Sequence, residues 1–178
     1  MISEGEFSYR LKGKLNHLYE NGQLLYRYAS CKPRDQLGAW LNHLLAINMP
    51  SNTAFSGDTY LMYREDFWQF NQIEEEKAKL LSMLGFYRQA QLALSSMILP
   101  AAFAWSEALV KSSSWVKKTP KQLSMDAFEQ SYDYDRYWQL LYRDAPLETL
   151  FEADDFKSAI SLIVEPLVTS RRDVIFNK

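Results

Sequence analysis

Hydrophobic and polar residues alternate from Phe7 to Tyr19. Phe7, Tyr9, Leu11, Leu15 and Tyr19 fall on odd positions; Ser8, Arg10, Lys12, Lys14 and Asn16 fall on even ones. A period of two with aromatic members predicts a half-buried strand. His17 alternates onto the apolar side and is expected in a core or an interface. Asn21-Gly22 predicts a type I′ turn, whose two central residues both need positive φ. The second strand runs from Gln23 to about Ser30, and Pro33 closes the hairpin. Gly13, mid-strand, predicts a bulge or bend. A helix over 34–47 follows, with Leu37, Trp40, Leu41, Leu44 and Leu45 at helical spacing.

After a loop from Pro50 to Gly57, "TYLMYREDFWQF" reads as a second hairpin turning near Arg64-Glu65-Asp66. Glu74 to Leu94 predicts a long helix, with Ile73, Ala78, Leu80, Leu81, Leu84, Tyr87 and Leu92 as its apolar face. The three glutamates Glu74, Glu75 and Glu76 suit the positive end of its dipole. "SSMILP" predicts a short buried strand ending at Pro100. Helices are predicted over 101–110, 123–130, 134–142 and 148–169. Pro146 separates the last two, and Pro166 should kink or end the final one. Asp133, Asp135, Asp154 and Asp155 stand near helix starts as caps or surface charge. The order of hairpin, helix, hairpin, helix, short strand and helices predicts an α+β, mixed α/β fold: a small sheet with hairpins flanked by helices. The length predicts one domain over 1–178.

Composition narrows the function. Aromatic residues make up 15% of the chain, enough to fill a core and also cover part of the surface. Net charge is +2 over residues 1–50, +1 over 51–122 and −5 over 123–178. Phosphate contacts are therefore expected from the N-terminal hairpin rather than from the C-terminal helices. Arg10, Lys12 and Lys14 share the polar strand face, and Arg27, Lys32 and Arg34 lie close by in sequence. These six are the DNA-contact candidates. Trp115, in a Ser/Lys loop, is expected to be exposed. Cys31 is the single cysteine, which suits a reducing compartment and a structural thiol. The polar, acidic start and the absence of a long apolar run predict a cytoplasmic protein without membrane contact. No phosphate-binding glycine loop, zinc spacing or serine-nucleophile motif is present, so no cofactor, metal or small-molecule substrate is expected. "FEQSYDYDRYWQLLY" mixes aromatic and charged residues as interfaces do. It makes Tyr132, Tyr134, Tyr137, Trp138 and Tyr142 the subunit-contact candidates.

The first hairpin also resembles one in the PD-(D/E)XK nuclease superfamily, where acids on adjacent strands hold Mg²⁺ and a lysine orients water. "GKLNHLY" matches the first strand in register, with Gly13 as its glycine. Asn16 then stands at the metal-binding aspartate, and Tyr28 and Ser30 stand at the second acid and the lysine. The resemblance implies a degenerate nuclease-like fold. The order of "LKGKLNHLYENGQLLYRYAS", "LGAWLNHLLAIN", "YREDFWQF", "FYRQAQ", "ILPAAFAWSEAL" and "YDYDRYWQLLYRD" resembles the C-terminal domain of RecC, a subunit of the RecBCD helicase-nuclease, exonuclease V. That resemblance implies a C-terminal fragment of a longer subunit, non-catalytic on its own. It also implies contact with RecB and RecD, and with DNA inside the complex, in double-strand break repair by homologous recombination. Two rivals stay open. One is a metal nuclease whose acids come from Asp35, Asp58, Glu65 or Asp66. The other is an interaction module of unrelated fold.

Overall fold

The computed structural model describes residues 2–4, 7–49, 57–92, 97–110, 118–143 and 150–174. The chain divides into two compact units, one of Met1–Gly85 with Ser170–Lys178, the other Phe86–Thr169.

The first unit holds two sheets. Strands β1 (Ile2–Glu4) and β2 (Phe7–Tyr9) form an antiparallel pair. The main sheet has the order β3-β4-β5-β6-β7, from β3 (Leu18–Tyr19), β4 (Gly22–Tyr26), β5 (Thr59–Met62), β6 (Phe67–Phe70) and β7 (Arg171–Asp173). Both predicted hairpins are present as β3-β4 and β5-β6. They join through a parallel pairing of β4 with β5, and helix α1 (Pro33–Ile47) lies between those strands in the chain. This is a β–α–β crossover inside a mixed sheet.

Three local predictions fail here. The strand over Phe7–Tyr19 breaks: residues 10–16 have no regular structure, so Gly13 is not a bulge. The turn sits one residue earlier than predicted. Tyr19 pairs with Gly22, leaving Glu20 and Asn21 at the centre, and neither has the positive φ of a type I′ turn. Gly22 is needed for another reason. Its φ is +131°, and a Cβ there would meet the Asp58 carbonyl oxygen at 2.7 Å, because β5 approaches so closely. His17 is exposed, with φ +55°, and is not a core residue.

Helix α1 starts with Pro33 in its first turn, where a missing N–H costs nothing. The Lys32 N–H donates to Asp35 Oδ2 at 3.0 Å, fixing the entry. Trp40 and Leu44 are buried with Leu61 and Phe70 of the sheet. The Trp40, His43 and Phe70 rings lie within 5.3–5.6 Å of one another. His43 is fully buried, its Nδ1 3.0 Å from Thr59 Oγ1. Burial pushes this imidazole down to about 4, and a backbone interaction with Asn71 opposes the shift only in part.

Helix α2 (Glu76–Leu92) starts two residues later than predicted and carries the boundary between the units, after Gly85. Its apolar face is buried at Leu80, whereas Tyr87 and Leu92 are exposed. The second unit is helical: α3 (Leu99–Val110), α4 (Pro120–Tyr132), α5 (Arg136–Tyr142), α6 (Asp154–Ala159), a π turn (Ile160–Val164) and the start of α7 (Glu165–Ser170). The predicted "SSMILP" strand is absent from its described part, residues 97–100. Ile98 is buried without regular structure, and Pro100 occupies the first turn of α3. Helix α4 begins earlier than the periodicity suggested, because Thr119 caps it reciprocally with Gln122 and Pro120 follows. Asp135 caps α5, accepting the Tyr137 N–H at 2.9 Å. Pro166 does not end the last helix. It stands in the first turn of α7, directly after the π turn, in which the Glu165 N–H reaches Ile160 O; a π turn is one way a helix accommodates a proline, whose ring would otherwise clash with the carbonyl four residues back. The core is aromatic: Phe128, Phe151 and Phe156 are all buried, and Ser124 Oγ ties α4 to the Ala101 carbonyl at 2.8 Å. The predicted loop from Pro50 and the Trp115 and Pro146 positions lie, wholly or largely, outside the described residues.

Candidate functional site

Asn16 is exposed in the irregular segment before β3, and its backbone carbonyl accepts from Gln23 Nε2 at 3.0 Å. Tyr28 and Ser30 follow β4, beyond its last residue. Tyr28 is 91% exposed, and Ser30 Oγ accepts from Arg64 Nη2 at 3.4 Å.

The groups that do converge stand where β4 and β5 end and α1 begins. The Arg27 N–H donates to Met62 O at 3.0 Å, extending the parallel pairing by one residue. The Arg27 guanidinium lies 3.7 Å from Asp35 Oδ1, while the other oxygen of Asp35 caps α1. Cys31 is half-buried, and its thiol is pushed up to about 12 by burial, then by Asp35 and Asp66, with Arg171 opposing. The Tyr63 phenol is likewise raised by burial, then by Asp35 and Cys31, with Arg27 opposing. Two of the four relocated-acid candidates, Asp35 and Asp66, thus share one electrostatic neighbourhood. Asp58 is elsewhere, its carbonyl accepting the Gln23 N–H beside Gly22. Glu65 is held by Arg64 at 2.6 Å. Among the described residues, no three His, Cys, Asp or Glu side chains are grouped to hold a metal ion.

The six basic candidates are all exposed, but in two settings. Lys32 and Arg34 sit at the start of α1 with Arg27 beside them. Arg10, Lys12 and Lys14 lie in the irregular segment, so no strand pleat lines them up.

The end of α4, the turn after it and α5 present the interface candidates in two sets. Trp138 stacks on Tyr142 at 5.8 Å, and both meet Phe128 edge-on at 6.0 and 5.9 Å. Tyr132 packs on Phe128 at 5.5 Å, and its hydroxyl donates to the Gln139 carbonyl at 3.4 Å. The Gln139 amide donates back to Tyr132 O at 3.0 Å. These inward residues hold the α4–α5 corner. Tyr134 and Tyr137 point out, 92% and 78% exposed, joined by Leu140 and Leu141 at 68% and 52%. Tyr137, Leu140 and Leu141, three and four residues apart, share one face of α5, and Tyr134 stands in the turn just before its cap. Sequence reasoning missed the two leucines, because their exposure follows from which face Phe128 holds.

It also missed β7. "RRD" has no strand periodicity, yet Arg171 stacks its guanidinium 4.3 Å from the Trp68 ring centre and hydrogen-bonds Gln36 Oε1. Among the described residues no helix is long and apolar enough to cross a membrane.

A five-stranded mixed sheet, with one helix packed on it through a central parallel crossover, defines a mixed α/β domain. The family model of the RecC C-terminal domain matches residues 4–110, more than half of the chain. The chain belongs to that family, which ties it to RecC and so to the RecBCD complex. Helices α4 to α7 and strand β7 lie beyond the matched residues. No curated protein matches the chain.

Proposed function

We propose that this chain is a non-catalytic, nuclease-like scaffold of RecC, which docks the RecD helicase and helps guide DNA strands in double-strand break repair. The family match over residues 4–110 carries this reading. Three further features support it. Asn16, Tyr28 and Ser30 stand where the resemblance requires two acids and a lysine, and none can supply that chemistry. Both oxygens of Asp35 are engaged, one by the helix cap and one by Arg27. Tyr137, Leu140 and Leu141 are exposed on α5, next to exposed Tyr134, while Trp138 and Tyr142 anchor the helix on Phe128, and such exposed apolar surfaces are partner surfaces. RecD is the partner in this reading, with RecB and DNA as its other neighbours.

The test mixes the purified chain with RecD and with RecB separately and follows association by calorimetry. Binding to RecD that is lost in Tyr137→Ala with Leu140→Ala, at unchanged circular dichroism, supports docking through α5. Mg²⁺-dependent cleavage of single-stranded DNA that disappears in Asp66→Asn overturns the scaffold reading in favour of relocated acids.

A further inference from the structure

Strand β7 has three residues and stands at the edge of the main sheet. It pairs with β6 in the register Phe70 with Arg171, Gln69 with Arg172 and Trp68 with Asp173. It follows α7 with no loop: the helix ends at Ser170 and the strand starts at Arg171. The chain also re-enters the first unit at Ser170. Arg172 and Asp173 are exposed, so two of the three side chains bury little on docking. Arg171 is different. Its register partner Phe70 is fully buried, and its guanidinium lies 4.3 Å from the ring centre of buried Trp68. It also donates to Gln36 Oε1 near the start of α1. One side chain thus grips β6 and α1 together.

We propose that β7 is a releasable strap, clasped by Arg171, which opens at Ser170 while the rest of the sheet stays folded, and whose closure steadies the start of α1. Ordering the backbone of three residues costs about as much as the few hydrogen bonds of a short edge strand return. Arg171 therefore decides whether β7 docks. Edge elements with few buried apolar contacts are also the parts of a fold that open first. Gln36 makes the link to α1. Its N–H donates to Lys32 O at 3.2 Å in the opening turn of the helix, and its side chain is what Arg171 holds. Lys32 and Arg34, two of the exposed cations, stand at that turn, so the strap sets how firmly they are presented. The strap is a property of the sheet and holds whichever partner the chain meets.

Backbone direction supplies the readout. The Val174 N–H donates to Phe67 O at 3.0 Å on the β7 side of β6, and the Tyr63 N–H donates to Asp66 O at 2.8 Å on the β5 side. Alternation then points the Gln69 N–H at β7, and the Trp68 and Phe70 N–H groups at β5. The test is amide exchange of the full chain, followed residue by residue by NMR. In wild type Gln69 exchanges about 10-fold or more faster than Trp68 and Phe70. Arg171→Lys keeps the charge but loses the planar stack and the fork that reaches Gln36. It speeds Gln69 and Gln36 about 10-fold, while Trp68 and Phe70 stay within about 2-fold. Gln69→Cys with Arg172→Cys, at register partners, closes a cross-strand disulfide that slows the amide at position 69 to the rate of its neighbours, and reductant reverses it. One shared rate for the β6 amides of wild type overturns the proposal. So does an Arg171→Lys variant that speeds Gln69, Trp68 and Phe70 equally, or that leaves Gln69 or Gln36 unchanged, and so does a closed disulfide that leaves position 69 fast.

Discussion

Acid should weaken the sheet through one residue, His43. It is fully buried between Trp40 and Phe70, and burial lowers its pKa from 6.5 to about 4. The unfolded chain takes up a proton as pH falls through 6.5, while the folded protein refuses it until about 4. Acid therefore favours unfolding. The effect is absent above the unfolded value, grows between the two values and is complete below the folded one. At about 1.4 kcal/mol per pH unit the full penalty is about 3 kcal/mol, of which about 2 kcal/mol has appeared at about pH 5. Carboxylates also titrate in this range, so the measurement is a difference. Wild type and His43→Phe, which cannot titrate, are unfolded in urea near neutral pH and near pH 5. Amide exchange in β5 and β6 reports on the sheet. Wild type should lose about 2 kcal/mol more than the variant, and its imidazole resonance should titrate well below the usual histidine range. Equal losses, or an imidazole titrating near 6.5, would refute the account of His43 as a buried neutral group.

Other outcomes follow from single contacts. Cys31 should react slowly with a maleimide at neutral pH, since its thiol is raised to about 12. Asp66→Asn should speed the reaction and Arg171→Gln slow it, both read as labelling rates. Gly22→Ala should cost about 1–3 kcal/mol, seen as a lower urea midpoint, because its Cβ would strike the Asp58 carbonyl from a backbone already at φ +131°. Thr119→Ala should cost about 1 kcal/mol by removing the cap of α4. Phe128→Ala should cost about 3–5 kcal/mol in the helical unit and increase the exposure of Trp138 in fluorescence quenching.

The sequence by itself determined what depends on neighbours along the chain. Apolar spacing placed α1 and most of α2. The two hairpins were legible as pairs of short apolar runs around polar turns, and the helix predicted over 134–142 contains α5, which Asp135 starts two residues later. The start of α4 is written in Thr119-Pro120, a cap followed by a first-turn proline, a signal that apolar residues alone do not carry. The electrostatic neighbourhood of Cys31, Asp35 and Asp66 was not legible, because its members come from two strand ends and a helix start. Alternation would align the basic triad Arg10, Lys12 and Lys14 on one face, but residues 10–16 form no strand. Alternation states which side chains would share a face, not whether a partner strand exists to make one.

Tertiary structure decided the rest. It joined the two hairpins in parallel through α1 and brought Arg171–Asp173 to β6, about a hundred residues away in sequence. It moved the first turn by one residue to fit Gly22 against Asp58. It also chose which aromatic residues are buried: Phe70 and Phe128 are, and Tyr26 and Tyr137 are not. The physical reason is shared. A backbone hydrogen bond or an apolar contact is satisfied equally well by a partner from anywhere in the chain, so local residues specify the need for a partner and the packed whole selects it.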